Sequence, residues 1–217
     1  MSLVTSDEIL SSVNSLLNDP GFVRWTKAEL LGYFNDAQRA IVLRRPDAYC
    51  ADVDDFSCVA GTKQSLPADG LRLVDIVRNA AGRAIKGPSD RAVIDDNYPE
   101  WYAENTATAV ELFFYDERNP KTFYVYPGVL AGTALTVVYS KAPPTITMLQ
   151  NDAAQTISID DIFTNAAIEW ILYRCYVKDA EYAANPSKSQ THLNAFKAQL
   201  GEKSQADVAM AGQQIKE

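Results

Sequence analysis

Residues 161–200 constrain this chain more tightly than any other stretch. They read as a helix, an Asn185-Pro186 elbow and a second helix, and the first helix carries two apolar stripes instead of one. At about 100° per residue, Ile162, Ala166, Trp170, Tyr173, Val177 and Ala184 line one side, while Ile168, Ile171, Leu172, Cys175 and Tyr182 line another. A helix apolar on nearly every side must be covered on nearly every side. Two covers are open: a partner subunit over the second stripe, or the 187–200 helix together with the chain's own sheet. In the first case Leu172→Glu abolishes assembly and leaves a folded monomer; in the second it destroys the monomer itself.

With 217 residues, 47% of them hydrophobic and 22% charged, the chain can enclose a core, as one domain or as a helical layer with an inserted β module. No apolar run approaches the ~18 residues of a membrane span. The N-terminal MSLVTSDEIL lacks a basic segment ahead of apolar residues, so no secretory signal is readable and the expected site of synthesis is the cytosol. Twenty Lys and Arg against 28 Asp and Glu leave a formal charge of −8, which argues against a ligand held by its phosphates. An acidic surface suits DNA only where sliding is required. Cys50, Cys58 and Cys175 form no C-x-x-C pair and are expected to be reduced packing residues.

Thr5 and Glu8 make a capping box ahead of Ile9, Val13 and Leu16, and Asn18-Asp19-Pro20-Gly21 stops that helix. Thr26 and Glu29 make a second box, with Trp25 and Leu30 as its hydrophobic staple, which predicts a helix over 27–44 ended by Pro46. From 50 to 145 the period turns β-like. Strands are expected at about 52–59, 63–66, 71–78, 83–87, 109–115, 121–126 and 133–140, paired antiparallel because their links are short. Ser89 or Asp90 caps a short helix near 90–96. After a β-like piece at 156–159, Asp160 or Asp161 caps the long helix, Pro186 opens the last one and Gly201 ends it. The expected class is therefore α+β: helices in 1–49 and 146–201 flank an inserted antiparallel β-rich module at 50–145, and 202–217 is a polar C-terminal tail, free or docked on a partner.

Little in the chain points to catalysis. His192, the one histidine, is expected on an exposed surface, and no G-x-S-x-G elbow, phosphate loop or dinucleotide fingerprint is present. Asp54-Asp55, Asp95-Asp96 and Asp160-Asp161 hold adjacent carboxylates whose side chains diverge, so they serve as caps and solvated edges rather than as an acid/base pair or a cation site. No metal or cofactor is expected. The aromatic run Phe123-Tyr124-Val125-Tyr126-Pro127, with Phe113, Phe114 and Tyr115, is read as sheet core, against a subunit contact or a stacking platform for bases or sugars that no flanking Lys and Arg cluster supports; Tyr98, Trp101 and Tyr102 form a second cluster suited to core or interface. Glu169, Arg174 and Lys178 are read either as a solvated edge or as a polar rim crossing a subunit boundary.

Taken in order, WTKAELLGYFNDAQRAIVLRRPDA at 25–48, LPADGLRLVDIVRNAAGRAI at 66–85, DDNYPEW at 95–101, FYVYPG at 123–128, YSKAP at 139–143 and LYRCYVKDAEYA at 172–183 resemble the head-to-tail adaptor (connector) proteins of tailed bacteriophages, the short-tailed kind in particular. None of these pieces is a chemical motif, and none carries a catalytic residue. The resemblance implies a helical bundle formed by the terminal helices of 1–49 and 146–201 with the β-rich insertion, and a virion protein at the head-to-tail junction: a homo-oligomeric ring of twelve copies docked under the portal protein, extending the DNA channel and offering a tail or nozzle protein its attachment site, without sequence-specific DNA binding and without a membrane. Under it, Trp170, Leu172, Tyr173, Arg174, Tyr176 and Lys178 are the expected subunit interface, and Gln205, Val208, Met210 and Ile215 the portal-binding tail. A tail-tube, terminator or plug subunit is the structural alternative, and a cell-wall hydrolase using two carboxylates is the enzymatic one.

Overall fold

A computed structural model describes residues 3–103, 107–179, 181 and 184–214, with side chains up to 201. The fold is α+β, and its chain divides into two units, Met1–Ala48 with Pro143–Glu217 and, between them, Tyr49–Ala142.

The first unit is helical. Helix α1 (Ser6–Leu16) opens on the expected box, with Thr5 Oγ1 accepting the Glu8 N–H and the Glu8 carboxylate accepting the Thr5 N–H. Helix α2 (Lys27–Arg44) opens on half a box: Thr26 Oγ1 accepts the Glu29 N–H at 3.3 Å, but the Glu29 carboxylate turns outward to the Tyr33 hydroxyl and to Lys178. Trp25 and Leu30 are buried, as a staple requires. The buried amide side chains of α2 receive the chain on its return from the other unit. Asn35 donates to the Ile146 carbonyl and accepts its N–H, both at 2.9 Å, and Gln38 accepts the Ser158 N–H. Thr5 bridges Thr156 and the Ile157 N–H bonds the Val4 carbonyl, so the β-like piece is a single bridge to the N-terminal segment.

The central unit (Tyr49–Ala142) contains two three-stranded antiparallel sheets. Strands β1 (Cys50–Ser57), β6 (Ala134–Lys141) and β3 (Gly70–Asn79) form one in that order; β2 (Gly61–Ser65), β5 (Thr122–Val129) and β4 (Leu112–Tyr115) form the other. Leu73, Ile76, Leu135 and Val137 from the first meet Phe113, Phe123 and Val125 from the second in one buried cluster. The strand expected at 83–87 is absent. Ala84 bridges Arg78 of β3 and Lys86 bridges Leu112 of β4, so the segment passes from one sheet to the other before either ladder can grow. Asn79 holds that crossing: buried, it donates to the carbonyls of Arg83 and Val110 and accepts the Val110 N–H. The expected 109–115 strand shortens to Leu112–Tyr115, and β5 runs through Pro127 to Val129 with its pairing to β2 broken there, where proline lacks a ladder donor. Short helix α3 (Arg91–Asn97) is capped by Asp90, as expected.

The remaining differences lie in the terminal unit. Helix α4 (Met148–Asp152) was not anticipated, although Thr147 and Gln150 form a complete capping box that the TITMLQ stretch displays. Asp160 caps a 3₁₀ turn (Asp161–Phe163) that leads into α5 (Thr164–Lys178), which has no side-chain cap of its own. Gly201 does not end the last helix, α6, which spans Asn185–Gln214. Gly201 is not among the residues with positive φ, the conformation through which glycine stops a helix, and the Glu, Lys, Gln, Ala and Met that follow favour continuation.

Candidate interaction surface

Helix α5 is enclosed by its own chain. Packed against α1, α2 and α6, it buries Ile171 and Cys175 fully and Leu172 to 4% exposure. The second stripe is therefore intramolecular core, and Leu172 has no surface to give a partner. It is the first stripe that stays partly open, at its ends: Ile162 is 59% and Val177 46% exposed. Tyr182 lies outside the described residues.

The other expected interface residues have partners inside the chain. Trp170 packs on Phe196 of α6 at 4.9 Å and on Tyr173 at 5.4 Å between ring centroids. The Arg174 guanidinium lies over the Tyr33 ring, and Lys178 pairs with Glu29 and lies over Trp25. Burial opposes ionisation of Glu29, yet the Lys178 and Tyr33 hydrogen bonds outweigh it and hold its carboxyl below the usual value. Burial of Tyr33 pushes its hydroxyl up to about 12. Tyr176 stacks on His192 with ring planes 6° apart, and His192 Nδ1 lies 2.7 Å from Glu169 Oε2. His192 is thus half-buried between α5 and α6 and not the exposed residue its neighbours suggested. This rim joins α5 to α2 and α6 within one chain, with the Lys178 side chain still 54% exposed.

The aspartate pairs have structural occupations. Asp54 accepts the Thr136 hydroxyl and pairs with Arg78; Asp95 accepts the Trp101 indole N–H at 2.7 Å; Asp161 accepts the Leu3 and Val4 N–H groups. Among the described residues no three His, Cys, Asp or Glu side chains are grouped as a metal site would need, and no helix is long and apolar enough to cross a membrane. Cys58 and Cys175 are buried, which pushes each thiol up to about 12; Cys50, expected inside, is exposed.

Two features of the helical unit bear on what it can meet. The first is the length of α6. Trp170 faces Phe196 and Tyr176 faces His192, so α5 and α6 run antiparallel, and Thr164 stands level with about residue 203 at 1.5 Å per residue. The final turns of α6 run past the start of α5. Of the expected tail residues, Gln205, Val208 and Met210 belong to these turns, and Ile215 lies outside the described residues.

The second feature is the loop between α1 and α2. The Asp19 carboxylate accepts three consecutive backbone N–H groups, from Val23, Arg24 and Trp25, at 2.8–3.2 Å. Asn18 and Phe22 sit at φ of 52° and 56°, a conformation that costs a side-chain-bearing residue about 1 kcal/mol or more. The Asp19 clamp holds the chain there and leaves Val23 83% exposed. The N–H groups, Trp25's foremost, keep the Asp19 carboxyl below its usual value. A lowered folded value means that this contribution is complete above the unfolded value near ~4 and is lost as pH falls through the folded one. The protection of the Trp25 amide against exchange should accordingly fall, bringing it toward its intrinsic rate, as pH drops below about 4, and Asp19→Asn should remove that acid-dependent step.

Residues 4–216, nearly the whole chain, match the sequence profile of the SU10 adaptor protein family. No curated protein matches the chain.

Proposed function

We propose that this chain, which belongs to the SU10 adaptor protein family, is a structural virion protein that assembles as a ring under the portal, extends the DNA channel and presents the attachment site for the tail. The family match over 4–216 is the observation that carries the reading. The architecture accords with it: a helical unit made from both ends of the chain, a β unit inserted between them, and acidic pairs engaged in capping, hydrogen bonding and ion pairing.

In this ring twelve copies stand side by side through their helical units. The surface that α5 leaves open, with Val177 and the half-exposed Tyr173 and Tyr176, faces the neighbour, and Arg174 and Lys178 edge it. The overhanging end of α6 reaches toward the portal as a helix, which suits docking in a groove better than a flexible tail does, because less conformational entropy is lost on binding. DNA passes a lumen to which it does not adhere, in keeping with the net charge of −8.

Removing 202–217 tests the portal contact. Phe196 and Leu200, which seat α6, are retained. The truncated protein should keep its thermal transition and lose at least about tenfold in affinity for the portal protein of the same virus. Unchanged affinity removes the α6 overhang from the reading. Electron microscopy of the mixture separates this arrangement, a ring seated on the portal, from a stacking tail-tube subunit.

A further inference from the structure

Two large apolar side chains stand uncovered at the end of the helical unit where α6 runs on past α5. Asp161 accepts the Leu3 N–H at 3.0 Å and the Val4 N–H at 3.4 Å, and the Ile157 N–H donates to the Val4 carbonyl, so the N-terminal segment is pinned along 156–161. The carboxylate that holds Leu3 belongs to the residue just before Ile162. Leu3 is 85% exposed and Ile162 59%, and both belong to the same unit as α6. The carboxylates next to them are already engaged with the chain's own N–H groups, Asp160 with Ile162, Asp161 with Leu3 and Val4, and Glu8 with Thr5.

The position of this pair follows from the helix pairing. Ile162 continues the stripe of Ala166 and Trp170, and it is Trp170 that packs on Phe196 of α6. With α5 and α6 antiparallel, Ile162 stands level with the first turn of the α6 overhang. That overhang is a small contact by itself. Its residues 202–214 include two large apolar side chains, Val208 and Met210, whereas a lasting protein contact draws on roughly 20–30 residues a side around an apolar centre. A partner that receives this helix therefore needs more of the helical unit to bury, and Leu3 and Ile162 offer uncovered apolar surface at the level of the helix root.

We infer that Leu3 and Ile162 form an apolar shoulder at the root of the α6 overhang, and that helix and shoulder dock together on the portal: the helix in a groove, the shoulder against an apolar rim beside that groove. This rests on the portal reading and extends its contact beyond 202–217. Because Asp161 and the Thr5–Thr156 bridge fix the segment that carries Leu3, the shoulder is ordered before it binds and little entropy is lost on docking.

The test measures the affinity of the full chain for the portal protein of the same virus. Leu3→Ser with Ile162→Ser should lower it at least about tenfold, with the thermal transition unchanged because both side chains are exposed. Ile162→Leu, which keeps the apolar surface, should bind as wild type. Val23→Asp should also bind as wild type: Val23 is 83% exposed, but its neighbour Arg24 pairs with Asp179 just past the last residue of α5, at the opposite end of that helix. Wild-type affinity in the double Ser variant overturns the shoulder, as does an equal loss in Val23→Asp. A double Ser variant that changes the mass of the protein without portal also overturns it, since the pair would then lie between copies of this chain. If removal of 202–217 weakens binding while the double Ser variant does not, the inference fails and the portal reading stands. Absence of any binding by the wild-type chain overturns both.

Discussion

Leu172→Glu is expected to unfold the helical unit, with loss of its cooperative thermal transition and of the α-helical circular dichroism it contributes. Leu172 is 4% exposed among α1, α2 and α6, and a carboxylate there has neither water nor a cationic partner. The expected cost is about 4 kcal/mol or more, a large share of the stability of a single domain. Val177→Glu on the same helix, 46% exposed, should remain within about 0.5 kcal/mol of wild type. A folded, monomeric Leu172→Glu protein would restore the view that this side of α5 belongs to a neighbour.

Phe196→Ala should cost about 3 kcal/mol or more, because the ring is fully buried, packs on Trp170 and carries the Arg44 guanidinium on its other contact at 5.1 Å. Its consequence extends beyond stability. Phe196 and Leu200 seat α6 on the bundle, and the overhang proposed to meet the portal starts immediately after them. Calorimetry should show a lowered transition, and portal affinity should fall although no residue of 202–217 has changed. Affinity at the wild-type level in a destabilised protein would mean that the overhang acts independently of its seat.

The course of the chain was written in local signals. Thr5 with Glu8, Trp25 with Leu30, and Asp90 all mark helix starts that the structure contains. What misled were residues whose local meaning is overruled at a distance. Glu29 reads as a capping-box partner, but Lys178, far along the chain, takes it. Gly201 reads as a stop, though it lacks the left-handed backbone that makes a glycine one. The 83–87 segment has strand-like residues, yet it is shared between two sheets and completes neither.

The candidate surface was less legible. Two stripes on α5 correctly indicate a helix covered on many sides, but periodicity does not say which chain does the covering. Here α1, α2 and α6 suffice, so surplus apolar surface on α5 no longer argues for a ring, and the proposal of one rests on the family match. His192 looked exposed because Gln190 and Asn194 flank it, while its partners Glu169 and Tyr176 lie on another helix. The 18–24 loop was visible only as a helix stop. Its significance depends on the Asp19 clamp and on positive φ at Phe22, neither of which a stop signal reveals.

Native mass measurement of the protein alone and with the portal protein of the same virus tests the central claim most directly. The account predicts a complex whose added mass is a fixed whole number of 23.9 kDa subunits, twelve by the family resemblance, with no intermediate occupancy at saturation. A protein that stays a 23.9 kDa monomer beside free portal, or that binds in continuously variable number, would contradict it.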